Sequence, residues 1–344
     1  MSLMFGLAKL KPAVGLWETS AAVPACGPEE VLIRIKRTAI CGTDLHIYKW
    51  DAWASATIPV PMIVGHEYSG EIVEIGERVT RKLHPGQRVS GEGHIVDLNS
   101  NAARAGRFHL DPSTVGVGVN RQGAFAEYLA IPAFNVVPLP DEVSDDVAAL
   151  LDPFGNAVHT AQQFDLMGED VLVTGAGPIG IMAAAVARRA GARSVVITDH
   201  NDYRLNLAAR LADVRPVNIG VEDLRDVMAE EGVADGFGVA LEMSGAEAAI
   251  AQAVDALSMG GKLALLGLPV KSMEVNWSTI ILKALTVKGV YGREMFETWR
   301  KMFGLIRGGL DLEPLITHRV AARDFQAGFD AALSGAAGKV VLSW

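Results

Sequence analysis

The chain has 344 residues, half of them hydrophobic, and a formal net charge of -9. That length exceeds one ordinary core and predicts two domains. The acidic balance, with no basic cluster, argues against nucleic acid and anionic membrane as partners, and no apolar run approaches the ~18 residues of a bilayer span. Two cysteines, Cys26 and Cys41, make no disulfide framework, and Met1-Ser2-Leu3-Met4 lacks the pattern of a signal peptide, so a cytoplasmic location is expected.

The first ~150 residues read as short β segments separated by turns. Val31-Leu32-Ile33-Arg34-Ile35 is one strand. Gly70 to Gly76 alternates in polarity with period two and is another, Pro85-Gly86 turns into a strand at Arg88-Val89, and Gly123 to Tyr128 is expected to continue the β pattern. After about residue 155 the texture changes. Val171 to Thr174 is an apolar strand, Ile179 to Ala190 an alanine-rich helix, Ser194 to Thr198 a strand and Asn201 to Leu211 a helix. Strands follow near Pro216 to Ile219, Gly238 to Leu241 and Leu263 to Leu266. Strands alternating with helices predict crossover units and a doubly wound parallel sheet, so the fold class is α/β with a β-rich first part. The last ~50 residues end in Lys339-Val340-Val341-Leu342 and are expected to return to the first domain.

Gly175-Ala176-Gly177-Pro178-Ile179-Gly180 fits G-x-G-x-x-G directly after a strand and at the start of a helix, where a dinucleotide needs it. Gly175 permits the tight turn, Gly177 a close approach of backbone to pyrophosphate, and Gly180 close packing of helix on strand. The helix N-terminus then offers unpaired N–H groups to phosphate. Asp199 ends the next strand, where a carboxylate accepts hydrogen bonds from ribose hydroxyls and repels a 2′-phosphate, so the expected cofactor is NAD rather than NADP. Arg204 nearby is read either as a phosphate contact or as the partner of Asp202.

Cys41-Gly42-Thr43-Asp44-Leu45-His46 lies just past a strand, His66-Glu67 follows in Gly65-His66-Glu67-Tyr68, and Asp152 stands at the change of texture. Thiolate, imidazole and carboxylate are zinc ligands, and three protein ligands with one open position make a catalytic site. Taken singly, a buried cysteine is more often a core residue.

These two motifs, the glycine turn and the order of the domains resemble the zinc-dependent medium-chain dehydrogenases. Longer strings resemble one branch of that family, which acts on a small hydroxy amino acid: Ile58 to Pro61, Ser90-Gly91-Glu92-Gly93-His94, Asp152 to His159, and Tyr291 to Trp299. The resemblance implies a GroES-like catalytic domain over 1–155 and 296–344 and a Rossmann NAD-binding domain over 156–295. It also implies NAD-dependent oxidation of a small-molecule alcohol, one catalytic zinc per subunit, and a homotetramer. Residue by residue, Cys41, His66 and Glu67 match metal ligands, with Asp152 an alternative to Glu67 or acting through water. Thr43 and His46 match a proton relay. His94 matches a segment near metal and substrate, Glu92 and Asp152 are acidic neighbours for a substrate ammonium, and Trp50 and Trp53 fall where the family closes over substrate. Ile179, Asp199, Arg204, Leu266, Gly267, Leu268, Val290 and Tyr291 match cofactor contacts.

The chain departs from the family in one place. Relatives carry a structural zinc held by four cysteines, and the matching positions here are Asp97, Ser100, Ala103 and Asp111. No structural zinc is expected, and Asp97 or Asp111 is expected to pair with Arg104 or Arg107. Two other readings compete: a zinc-dependent polyol or vicinal-diol dehydrogenase of the same family, and a catalytically silent nucleotide-binding relative, which loss of Cys41, His66 or Glu67 would have favoured.

Overall fold

Period-two alternation puts Val31, Ile33 and Ile35 inside and Arg34 outside in the strand Glu30–Ala39. In the computed structural model, which describes residues 2–233, 235–269 and 271–344, this strand organises the first of two units. Strands Glu67–Ile75, Tyr128–Pro132 and Lys339–Ser343 all pair with it antiparallel. Their inward residues, with Tyr68, Ile72, Leu129 and Ile131, form one core cluster, and Leu7, Phe125, Phe329 and Leu342 belong to a second. Gly123 to Phe125 do not continue the β pattern as expected. Their amides donate instead to the carbonyls of Ile63, Gly65 and Val64, and a Cβ on Gly123 would lie 2.3 Å from the Val64 carbonyl, so only glycine allows this close approach.

Two short helices, Gly42–Lys49 and Ala52–Thr57, leave the end of the Glu30–Ala39 strand. Trp50 closes the first in the left-handed conformation, φ 56°, and Asp51 caps the second by accepting from the Ala54 amide at 3.0 Å.

The second unit is a six-stranded parallel sheet. Its spatial order is Arg215–Asn218, Ser194–Asp199, Asp170–Thr174, Phe237–Glu242, Leu257–Leu265, Thr286–Gly289. Numbered along the chain this is 3-2-1-4-5-6, the doubly wound order. Helices Pro178–Arg189 and Asp202–Leu211 cross over between strands as the alternation predicts.

The division of the chain falls at Asp152/Pro153 and again at Leu315/Ile316. The first break lies close to the expected one. The second comes later than 295/296, because helix Glu297–Arg307 buries Trp299 and Met302 within the nucleotide unit. Strands Ile316–Ala321 and Lys339–Ser343 do return to the first unit as expected. Among the described residues no helix is long and apolar enough to cross a membrane.

Candidate active site and cofactor edge

Cys41 follows the last residue of the central strand by two positions, and its amide donates to Asp44 Oδ2 at 2.9 Å, which fixes the first turn of the helix after it. His66 and Glu67 arrive from the neighbouring segment. Gly65 just before them has φ +87°, and a Cβ there would meet the Phe125 ring at 2.1 Å, so only glycine can turn the chain at that point. The result is a cluster in which ligand atoms of Cys41, His66 and Glu67 lie within 4.8 Å of one another.

The donor set fits zinc. A sulfur, an imidazole and a carboxylate converge, and Glu67 Oε1 is buried with no hydrogen-bond partner. Burial opposes protonation of His66, yet the neighbouring Cys41 and Asp44 outweigh it and raise its pKa well above the ordinary value. The cluster is thus an electrostatic trap for positive charge. Asp152 lies outside the tight set, but its charge acts on His66, Glu67 and Asp44, and its Oδ1 would sit 3.7 Å from a Cβ on Gly93. The segment carrying Glu92 and His94 therefore runs beside the cluster, with Glu92 fully buried and both backbone carbonyls held by Asn135.

Two residues absent from the sequence-based set complete this centre. Asp44 is fully buried, with Oδ1 3.8 Å from His66 Nδ1; burial raises its pKa, and it faces the imidazole as an orienting carboxylate does beside a metal-binding histidine. Lys339 donates to Glu67 Oε2 at 2.5 Å and to the Ile40 carbonyl at 2.8 Å. Burial works against its charge, but the facing Glu67, with Cys41 and Asp44, lifts its pKa above the ordinary lysine value. Asp44 was visible inside the Cys41 motif. Lys339 carried no local signal, since 272 positions separate it from its partner.

Thr43 Oγ1 is 3.9 Å from Cys41 Sγ, and His46 lies one helical turn further along, more than half exposed. Trp53 meets the His46 ring edge-on at 6.2 Å, whereas Trp50 lies under the buried Lys9 ammonium at 4.9 Å and serves packing.

The lobe expected to pair Asp97 or Asp111 with Arg104 or Arg107 is built differently. Among the described residues no such ion pair forms. Asp111, only 4% exposed, accepts from the Asp97 amide at 2.7 Å, from the Ser113 amide at 3.2 Å and from the Ser113 hydroxyl at 2.9 Å. Ser100 caps the helix Asn101–Arg104, and Ala103 is buried. A carboxylate hub with neutral donors suits this spot because it needs no second charge to be satisfied. Burial works to raise the Asp111 pKa, and the donors of Asp97, Ser113 and Ser100 overcome it, leaving it lowered. A depressed carboxylate stabilises the fold above its unfolded pKa, and that contribution is lost as pH falls through the folded value. Asp111→Ala should therefore lower the melting temperature at neutral pH, with the difference from the parent protein shrinking in acid. Equal melting curves at pH 7 would remove the hub from the account.

In the second unit, the sequence-predicted cofactor residues gather at one edge, the carboxyl ends of the strands. Gly175 follows Asp170–Thr174, Asp199 ends its strand, Leu266, Gly267 and Leu268 follow Leu257–Leu265, and Val290 and Tyr291 follow Thr286–Gly289. A doubly wound sheet binds its ligand at this edge. A Cβ on Gly180 would lie 1.9 Å from the Gly175 carbonyl, so helix and strand touch there, while a Cβ on Gly177 meets nothing within 4 Å. Gly177 starts the helix with no side-chain cap, so the amide donors of its first turn, Ile179 among them, suit a pyrophosphate. Asp199 accepts from the Ala176 and Asn201 amides at 2.7 and 2.9 Å and so braces the turn. Among the described residues Asp202 accepts from the Asn218 side chain at 2.6 Å rather than pairing with Arg204, whose Nε is buried without a hydrogen-bond partner. Glu242 went unread in the sequence. Fully buried, it accepts from the Ser244 and Gly245 amides at 2.8 and 3.0 Å and from the Thr174 hydroxyl at 3.3 Å, and its own carbonyl takes the Leu266 and Gly267 amides, tying the ends of three strands together.

An alcohol dehydrogenase GroES-like domain matches residues 27–141, and a zinc-binding dehydrogenase domain matches residues 178–308. The chain is 60% identical over 342 residues to L-threonine 3-dehydrogenase of Ruegeria pomeroyi, covering 99% of this chain and all of that one. The chain belongs to the zinc-dependent medium-chain dehydrogenases. Another medium-chain dehydrogenase, the L-threonine 3-dehydrogenase of Escherichia coli K12, is 59% identical over 341 residues, 99% of this chain and 100% of that one. The solved 2R,3R-butanediol dehydrogenase of Bacillus subtilis shares the fold with a TM-score of 0.89 at 25% identity, over 99% of both chains. As a medium-chain dehydrogenase the protein is a nicotinamide-dependent oxidoreductase acting on an alcohol.

Proposed function

We propose that the protein oxidises the 3-hydroxyl of L-threonine to L-2-amino-3-oxobutanoate with NAD as acceptor, using one zinc held by Cys41, His66 and Glu67 and no structural zinc. The observation that carries this reading is full-length identity of about 60% to enzymes of that name, together with an intact ligand cluster. Zinc at that cluster supplies Lewis acidity toward a substrate hydroxyl, and NAD supplies the hydride acceptor. Thr43 accepts the hydroxyl proton as it gives up its own toward His46, which, a turn away and exposed, releases a proton to solvent. Glu92 and Asp152 offer negative charge to the substrate ammonium, with His94 beside them. Asp199 favours a ribose with both hydroxyls over one carrying a phosphate, and Arg204, Leu266, Gly267, Leu268, Val290 and Tyr291 complete the cofactor contacts.

Free thiols at Cys26 and Cys41 fit a reducing cytoplasm. Self-association, expected as a homotetramer, is supported by the exposed outermost strand Thr286–Gly289 and by Trp277, Ile281 and Leu282 on the helix just before it in sequence, each at least 66% exposed.

NADH formation with L-threonine, D-threonine, L-serine and a panel of diols, on zinc-loaded protein, tests the reading. L-threonine is expected to be strongly preferred, and NADP to replace NAD poorly. Turnover of a diol but not of threonine would discard the substrate and keep the dehydrogenase.

A further inference from the structure

His46 does not stand alone at the end of its helix. Its Nδ1 lies 2.5 Å from Asp51 Oδ2, while the other oxygen of the same carboxylate, Oδ1, accepts from the Ala54 amide at 3.0 Å. Asp51 is thus fixed from two sides. Its backbone starts the helix Ala52–Thr57, and the cap bond sets the rotation of the carboxylate, so that the second oxygen faces the imidazole. The Ala54 amide first, then His46, hold this carboxyl below the ordinary aspartate range, so it is ionised wherever the enzyme would work.

From this geometry we propose that Asp51 is a positioning residue for the proton relay, fixing the His46 ring and the nitrogen on which it takes a proton. The inference rests on the relay reading of His46 given above. A neutral imidazole carries its hydrogen on the nitrogen that can donate it. With a carboxylate at Nδ1, that nitrogen is the donor, and Nε2 presents its lone pair to an arriving proton. No bond beyond this proton transfer is made or broken: the proton bound at Nε2 is the one Thr43 gives up as it accepts that of the substrate hydroxyl, and it leaves from the exposed ring to water. Trp53, edge-on to the imidazole at 6.2 Å, limits its swing on another side. Among the described residues, the helix also carries Asp44 and Lys49, Lys9 and Asp330 lie on elements that reach it, and helix Ala52–Thr57 carries no charged residue.

The cap makes the test selective. Asn is as good a cap as Asp. In Asp51→Asn the cap bond keeps the amide oxygen on Ala54 and turns the amide NH2 toward His46. That NH2 donates to Nδ1 and so places the ring hydrogen on Nε2, the wrong nitrogen. Asp51→Ser keeps a capping oxygen and removes the group facing His46. Asp51→Asn is expected to melt with the parent protein, bind NAD as tightly, and lose about tenfold in kcat/KM, with the acid limb of its pH profile moved. Asp51→Ser should lose less than Asp51→Asn, since water can take the place of the carboxylate. His46→Gln separates the two readings. Loss of the acid limb in His46→Gln with unchanged rate and profile in Asp51→Asn would overturn the role of Asp51 and leave the relay standing. Retention of the parent pH profile in His46→Gln would remove the relay itself.

Discussion

Cys41→Ser is expected to release the metal and to lower turnover by roughly a thousandfold or more. The substitution leaves the fold in place, because the structural work at this position is done by the backbone: the Cys41 amide bonded to Asp44 sets the helix turn whatever the side chain. What is lost is the sulfur in a set of three ligands that already lie within 4.8 Å of one another. A serine hydroxyl is a harder and far less acidic donor and does not replace a thiolate. Metal content after dialysis, the melting curve and NADH formation should be measured together. Zinc retained at one equivalent per subunit with parental turnover would remove Cys41 from the metal site.

Lys339→Met should cost about 3–5 kcal/mol of stability, the usual result of leaving one member of a buried ion pair without its partner. Both side chains are nearly inaccessible and bonded at 2.5 Å, and Lys339 also satisfies the Ile40 carbonyl next to Cys41. A methionine fills the volume but leaves Glu67 Oε2 facing apolar atoms. For a protein of this size that corresponds to a fall of roughly ten degrees in melting temperature. Lys339→Arg, which keeps the charge, should recover part of it, and the double variant Glu67→Gln/Lys339→Met should be less destabilised than the single effects added together. Additivity would mean the two side chains do not depend on each other. The pH dependence has a definite sign. A lysine whose folded pKa is raised contributes stability that is fully present below the unfolded value near 10.5 and is lost as pH climbs through the folded one. The parent protein should therefore lose stability at alkaline pH, and Lys339→Met should lack that component.

The readable and the unreadable parts of this chain differ by distance along it. The Gly175 turn, the acidic end of the next strand and the Cys41 motif each declare themselves within a few residues, since a phosphate-binding turn or a thiolate at a helix start is built locally. The alternating strands and helices of the nucleotide unit follow for the same reason. The helix Gly42–Lys49 escaped notice because eight residues give too little periodicity to register. Asp51 is a cap residue by type, but only the folded turn shows that its second oxygen reaches His46. Asp111 was recognised as a position that had lost a cysteine, yet its partners turned out to be neutral donors rather than arginines, since a single carboxylate can be satisfied by nearby amides at less entropic cost than by a long side chain. The later domain boundary follows from the buried face of Glu297–Arg307, which short-range texture does not reveal.

The strand that carries Lys339 is the last in the chain, and it lies against the strand leading to Cys41. During synthesis, the segment bearing Cys41, His66 and Glu67 emerges well before its counter-charge, which lies 272 positions beyond Glu67. Residues 153–315, contiguous in sequence, have all their own strands available before that moment. Until Lys339 is made, the Glu67 carboxylate lacks its partner, and pairing across 272 positions adds a loop-closure cost to completing the first unit. The cluster of Cys41, His66 and Glu67 therefore reaches its final balance of charge only after residues 153–315 have been made.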